Sequence, residues 1–143
     1  MQFFIDCEFD DPTRTLLSLA IVSENGEREF YEVIQCDTIT DQWVKDNVVP
    51  IFQRKAISYT EFQTALAKFV DQFPGMTIIS DHINDTAYFA RALDLGSGKR
   101  IRIQPLTFIV DDELSAKKSK ILHNALHDAR AVRDSYLARE GLN

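Results

Sequence analysis

The first third of the sequence contains three hydrophobic segments that predict β-strands. Residues 2–9 are mostly apolar, residues 14–23 are apolar and partly β-branched, and residues 28–35 have the alternation of a strand. Asp10-Asp11-Pro12 and Asn25-Gly26 supply turn signals between these segments, and Asn-Gly is typical of a tight hairpin. We therefore predict three antiparallel strands at the N-terminal side of the domain.

The rest of the chain alternates between helical and strand patterns. Ser58-Tyr59-Thr60-Glu61 has the form of a capping box and leads into apolar residues at helical spacing. Other helices are predicted from Thr40 to just before Pro50, from about Asp85 to Leu95, and from about Asn124 to Arg139, with strands at 76–80 and 106–110. This order predicts an α/β fold, a mixed sheet flanked by helices.

Size and composition are those of one globular domain, which we expect to cover residues 1–143. Hydrophobic residues make up 45% of the chain, and the net charge is −6. An acidic chain is not expected to be a passive coat on nucleic acid. Cys7 and Cys36 are too few for a secreted disulfide framework, so a cytoplasmic location is expected. We also expect no signal peptide and no membrane span.

Asp6 and Glu8 are the most informative polar residues of the first segment. Side chains of a strand alternate between its faces, so the two carboxylates project to the same side, with Cα atoms about 6–7 Å apart. In a cleft they repel each other unless a proton or a cation neutralises them, and Mg²⁺ prefers carboxylate oxygens. Chance alone gives about one Asp-x-Glu triplet in a chain with 22 acidic residues, so an acidic pair at a solvated edge is the alternative.

A second motif lies near the C-terminus, where residues 123–129 read His-Asn-Ala-Leu-His-Asp-Ala. With Asp-x-Glu on a first strand and an Asp at the start of a middle helix, this motif resembles the DEDDh 3′→5′ exonucleases. These RNase H-like nucleases include oligoribonuclease, RNase T and the proofreading subunit of DNA polymerase. The resemblance extends from Gln2 to about Tyr136, and the chain is most similar to the compact bacterial RNase T-like 3′ exoribonucleases. It implies an RNase H-like mixed sheet.

The resemblance also implies a two-metal site with a histidine base. The metal ligands, which would hold two Mg²⁺ or Mn²⁺ ions, would be Asp6, Glu8, Asp85 and Asp128. Neutral His123 would accept the proton of the attacking water, so activity should rise through the pKa of a histidine. The implied reaction is metal-dependent removal of nucleoside 5′-monophosphates from the 3′ end of RNA.

The third and fourth acids each have an alternative interpretation. Asp85 fits the family pattern better than Asp81 because it opens a predicted helix, although a helix N-cap is an ordinary role for an Asp there. Asp81 follows a predicted strand and could be a turn residue or could face the same cleft. Asp128 could instead be a surface acid that interacts with the helix dipole.

The two histidines of the motif are predicted to differ in role. If His123 and Asp128 both lay on one helix, their directions would diverge by about 140°, so His123 must precede the helix to share a site with Asp128. His123 and His127 have the spacing of a zinc-binding pair, but the glutamate of His-Glu-x-x-His and a nearby cysteine are both missing. We therefore expect His127 to be a spectator.

Candidate substrate contacts are fewer and less specific. Lys118 and Lys120 precede His123 and could bind phosphates, although solvated loop charges are an equally good interpretation. Phe9 could stack on a terminal base, although a core position is the better interpretation. The expected partner is single-stranded RNA or an RNA 3′ overhang, and the family implies a homodimer. The alternatives are a proofreading-type DNA exonuclease, an RNase H-type endonuclease, and a non-catalytic nucleic-acid-binding domain.

Overall fold

A five-stranded mixed sheet forms the centre of the protein. The computed structural model describes residues 1–142, so Asn143, the last residue of the predicted domain, lies outside the described residues. Within them the strands are β1 (Gln2–Asp10), β2 (Thr15–Ser23), β3 (Glu29–Val33), β4 (Thr77–Ser80), β5 (Asp94–Gly96), β6 (Lys99–Arg100) and β7 (Thr107–Val110). The α-helices are α1 (Gln42–Asn47), α2 (Tyr59–Val70), α3 (Ile83–Ala92) and α4 (Ala125–Glu140).

The strand order in the main sheet is β3-β2-β1-β4-β7. The first three strands are antiparallel, whereas β4 runs parallel to both β1 and β7. β5 and β6 form a separate two-stranded hairpin. The predicted α/β class, with three antiparallel N-terminal strands in a mixed sheet flanked by helices, is confirmed.

Both faces of β1 are covered, which explains why this strand is apolar almost throughout. Phe3 and Ile5 pack into the larger core cluster against apolar residues of α2 and α3. Phe4 points to the opposite face, where it contacts Ile79 of β4 and Val132 of α4. Helices therefore cover the sheet on both sides, and α4 lies on the side of Phe4.

Three local features differ from the sequence-based prediction. Residues 24–28 connect β2 to β3 through hydrogen bonds of the Asn25 side chain, instead of a two-residue turn. Helix α3 begins two residues before Asp85 because the His82 side chain accepts a hydrogen bond from the Asn84 N–H, at 3.1 Å. The predicted end of this helix at Leu95 is wrong, because α3 ends at Ala92 and residues 94–96 form β5 of an exposed hairpin with β6 that lacks the apolar alternation of a half-buried strand.

Asp10 fixes the segment before α1 to the end of β1. Its fully buried carboxylate accepts hydrogen bonds from the Thr13 hydroxyl at 2.5 Å, the Thr40 hydroxyl at 2.9 Å, and the N–H groups of Thr40 and Asp41 at 3.1 and 2.9 Å. These bonds, that of Thr13 above all, lower the pKa of Asp10 to about 2. Asp41 in turn caps α1 by accepting the Trp43 N–H. Asp10 thus places Trp43 relative to β1.

Among residues 1–142, every helix is too short or too polar to cross a membrane.

Candidate metal centre

Asp6, Asp81 and Asp85 come together where β4 ends beside the middle of β1. Phe4 pairs with Ile79 in the β1–β4 register, so continuing that register by two residues brings Asp6 alongside Asp81. One carboxylate oxygen from each of Asp6, Asp81 and Asp85 lies within 4.8 Å of the others. The structure therefore brings both candidates for the third acid to the same place.

Glu8, His123 and Asp128 form a second group, in which one ligand atom from each residue lies within 4.8 Å of the others. Helix α4 starts after Asn124, whose side chain accepts hydrogen bonds from the first-turn N–H groups. His123 lies in the turn before this helix, with a φ of 73°, as its spacing from Asp128 requires. The loop position is what allows the imidazole and the helical carboxylate to reach one point.

Backbone N–H groups hold two of the acids in fixed orientations. The Cys7 N–H donates to Asp85 Oδ1 at 3.0 Å, although Cys7 lies between Asp6 and Glu8 on β1. The His123 N–H donates to Asp128 Oδ2 at 2.9 Å. Asp85 is only 4% exposed and is the third residue of α3, so it is not the N-cap of that helix. These two hydrogen bonds act as backbone clamps, and the other carboxylate oxygen of Asp128, Oδ1, has no hydrogen-bond partner.

Burial and mutual repulsion dominate the electrostatics of the acids in the centre. Burial, followed by the Coulomb effect of Asp128 and then Asp85, raises the pKa of Glu8 to about 8. Burial and then the charge of Asp81 raise the pKa of Asp85 to about 8 as well. Burial is likewise the main cause of the raised pKa of Asp6, Asp81 and Asp128. Among the described residues, none of these five acids forms a salt bridge with lysine or arginine.

Two buried carboxylate oxygens indicate which kind of ligand suits the centre. Asp6 Oδ2 and Asp128 Oδ1 are buried and have no hydrogen-bond partner. A buried acceptor without a partner costs about 1–3 kcal/mol, and more when it is charged. A hard divalent cation bound by carboxylate oxygens would satisfy both atoms and offset the repulsion. The donor set therefore fits Mg²⁺ or Mn²⁺.

Trp43 is a neighbour of the centre that the sequence analysis did not identify. Its ring meets the His123 imidazole edge to face, with centroids 4.9 Å apart and an interplanar angle of 86°. Half of the Trp43 surface remains exposed. No local sequence signal links these two residues, because the contact depends on the placement of α1 by Asp10.

The remaining predicted residues lie outside the two groups. Phe9 stacks on Tyr88 of α3, with centroids 4.7 Å apart, and packs against the larger core cluster. Lys118 and Lys120 are exposed and line a cleft of about 400 Å³ together with His127.

His127 does not share a metal-ligand group with His123 in the described part of the chain. Burial, with the nearby charge of Arg130, lowers the pKa of His127. His127 lies outside both groups of candidate metal ligands, and its spectator role stays a prediction.

The sequence matches no model of a known protein family, and a search of curated proteins finds no significant match.

We expect the acids to destabilise the metal-free protein as the pH rises. Below their ordinary pKa of about 4 the carboxyl groups are protonated in the folded and the unfolded chain alike. In the folded protein the pKa of Glu8 and Asp85 is about 8, so folding favours their protonated forms. The stability gained from this preference is lost as the pH rises through about 8. In EDTA near pH 8, Asp6→Asn should therefore melt a few degrees above the wild type, and this advantage should shrink toward pH 5.

Divalent cations should reverse the order of the two melting temperatures, so that the wild type melts above Asp6→Asn. Mg²⁺ or Mn²⁺ should raise the Tm of the wild type and of the control Asp112→Asn, an exposed acid outside the centre. The increase should be much smaller for Asp6→Asn. The metal assignment would be contradicted if neither cation changed the Tm of the wild type, or if Asp6→Asn melted below the wild type in EDTA.

Proposed function

We propose that this protein is a metal-dependent 3′→5′ exoribonuclease of the DEDDh type. The observation that carries the proposal is the presence of two neighbouring ligand groups, Asp6 with Asp81 and Asp85, and Glu8 with His123 and Asp128. Their acids are close enough to raise one another's pKa. Two adjacent acidic groups suit a two-metal phosphodiester hydrolase, in which both the attacking and the leaving oxygen need stabilisation. A histidine beside one of the groups suits the exonuclease better than an RNase H-type endonuclease.

The architecture supports an RNase H-like fold. The sheet has three antiparallel strands followed by two parallel ones, with helices on both faces. The acids come from the middle of β1, the start of α3 and the start of α4, in the order that the family pattern requires. The support for this fold therefore comes from the order of the strands and helices and from the order of the acids along the chain. The sequence motifs predict both orders.

The residues fit a pair of divalent cations divided between the two groups. Asp6 and Asp85, with Asp81 beside them, would hold one cation, while Glu8 and Asp128 would hold the other. Bound cations supply Lewis acidity toward the phosphoryl oxygens and lower the pKa of a bound water. The backbone clamps on Asp85 and Asp128 fix the acids before any ligand arrives, which reduces reorganisation during the reaction.

His123 is the residue suited to move the proton. Its ring lies beside Glu8 and Asp128, its backbone N–H donates a hydrogen bond to Asp128 Oδ2, and Trp43 contacts its ring. In the proposed reaction His123 accepts the proton of the attacking water. The water oxygen then bonds to phosphorus and the bond from phosphorus to the 3′ oxygen breaks. This releases a nucleoside 5′-monophosphate, and the leaving 3′ oxygen of the RNA takes a proton from solvent to become a hydroxyl.

The substrate is proposed to be single-stranded RNA or an RNA 3′ overhang in the cytoplasm. Lys118 and Lys120 lie shortly before His123 in the sequence, on an exposed segment, and could contact phosphates of the incoming strand. The preference for RNA over DNA rests on the resemblance to RNase T-like exoribonucleases.

A digestion assay tests the proposal. Matched RNA and DNA oligomers with a 3′ overhang, labelled at the 5′ end, should be shortened one nucleotide at a time in Mg²⁺ or Mn²⁺, with RNA cleaved faster. Asp85→Asn should abolish shortening, because it removes the charge of a clamped ligand, whereas Asp112→Asn should retain full activity. Faster cleavage of DNA would change the substrate assignment, and full activity of a folded Asp85→Asn variant would refute the mechanism.

Two histidine variants test the proposed base. His123→Ala should lower the cleavage rate by about 10²–10⁴-fold, the usual effect of losing a general base. Titration calorimetry should show that the variant still binds Mn²⁺, because His123 is predicted to be a base and not a metal ligand. His127→Ala is the matched control and should cleave at nearly the wild-type rate. A larger loss in His127→Ala than in His123→Ala would contradict the assignment.

A further inference from the structure

The two edges of the main sheet are protected to different degrees. Beyond β3, residue Ile34 forms a parallel bridge with Ile57, so a second segment covers part of that edge. At the opposite edge β7 pairs with β4 alone among the described strands. β7 therefore presents an uncovered strand edge.

The free edge of β7 has unpaired backbone groups at defined positions. The Thr107 N–H donates to Met76 at 3.0 Å and the Asp111 N–H donates to Ser80 at 2.9 Å, both toward β4. Backbone groups of successive residues in a strand point to alternate sides. The N–H and C=O groups of Phe108 and Val110 consequently point away from the sheet.

The side chains of β7 lack the usual features that discourage edge pairing. Phe108, Ile109 and Val110 are 38%, 42% and 42% exposed. Natural edge strands are commonly protected by charges, proline or a bulge, because an open apolar edge invites another strand. None of these interrupts Thr107–Val110.

Charge changes sign across β7. Lys99, Arg100 and Arg102 precede the strand, are exposed, and form no salt bridge within residues 1–142. Asp111, Asp112 and Glu113 follow it, and Arg139 offsets only part of their charge by pairing with Asp111 and Glu113. An antiparallel partner with the same sequence would bring its acidic end toward the basic end of this strand.

We propose that β7 pairs antiparallel with β7 of a second copy of this chain. The interface would join two five-stranded sheets into one continuous sheet about a twofold axis. This inference concerns an assembly surface and holds whether or not the protein is a nuclease.

The outward backbone groups fix the register. Phe108 stands opposite the partner's Val110, and Val110 stands opposite the partner's Phe108, so each pair exchanges two N–H···O=C hydrogen bonds. Ile109 then lies at the twofold axis, directly beside the partner's Ile109. An arbitrary extended peptide could use the same edge, but the reversal of charge along β7 favours its own copy.

Two substitutions test this interface by sedimentation velocity. The wild type should sediment with twice the 16.4 kDa mass of the chain. Ile109→Asp should be monomeric, because it would place two carboxylates side by side at the axis. Val110→Pro should also be monomeric, because it removes an outward N–H while no bond to β4 is lost.

Leu142→Asp is the matched control, since Leu142 is 56% exposed at the C-terminal end of the described chain, outside β7. This variant should remain a dimer. Amide exchange gives an independent measurement, because the N–H groups of Phe108 and Val110 should be protected in the wild type and exchange rapidly in Ile109→Asp. A monomeric wild type at every concentration, a dimer that persists in folded Ile109→Asp, or rapid exchange of these two amides in the wild-type dimer would overturn the proposal.

Discussion

Mutual repulsion of buried carboxylates is the constraint on which the rest of the structure depends. Five acids converge beside the middle of β1, and no lysine or arginine in the described part of the chain forms a salt bridge with them. Like charges at short distance in a medium of low dielectric raise one another's pKa, so the site needs protons or cations. A sequence selected for stability alone would replace such acids with apolar residues, whereas the proposed cation-binding site needs them.

The surrounding fold opposes this repulsion with rigid elements and backbone hydrogen bonds. Asp6 and Glu8 are held on β1, which pairs with β2 on one side and with β4 on the other. The N–H of Cys7 fixes Asp85 from β1, and the N–H of His123 fixes Asp128 from the turn before α4. Asp10 contributes at longer range, because its buried hydrogen bonds hold α1 and therefore Trp43 beside His123. Burial of the apolar core stabilises the fold and offsets the destabilising repulsion among the acids.

Much of the centre was predictable because it depends on local periodicity. Alternation along a strand places Asp6 and Glu8 on one face, and the 3.6-residue helix period requires His123 to precede α4. The proximity of Asp81 to Asp6 was harder to predict, because it requires knowing that β4 is parallel to β1 and in which register. The start of α3 was missed because a histidine is not among the common N-cap residues. The roles of Asp10 and Trp43 arise from contacts between distant segments, which no local pattern contains.

The central claim is that the acids form a binding site for two divalent cations. Anomalous diffraction from crystals grown with Mn²⁺ tests this claim directly, because it locates the ions without any assay of activity. We expect one peak coordinated by Asp6 with Asp85 or Asp81, and a second coordinated by Glu8 and Asp128. The absence of a peak among these carboxylates in Mn²⁺-saturated crystals, or a peak held instead by His123 and His127, would contradict the account.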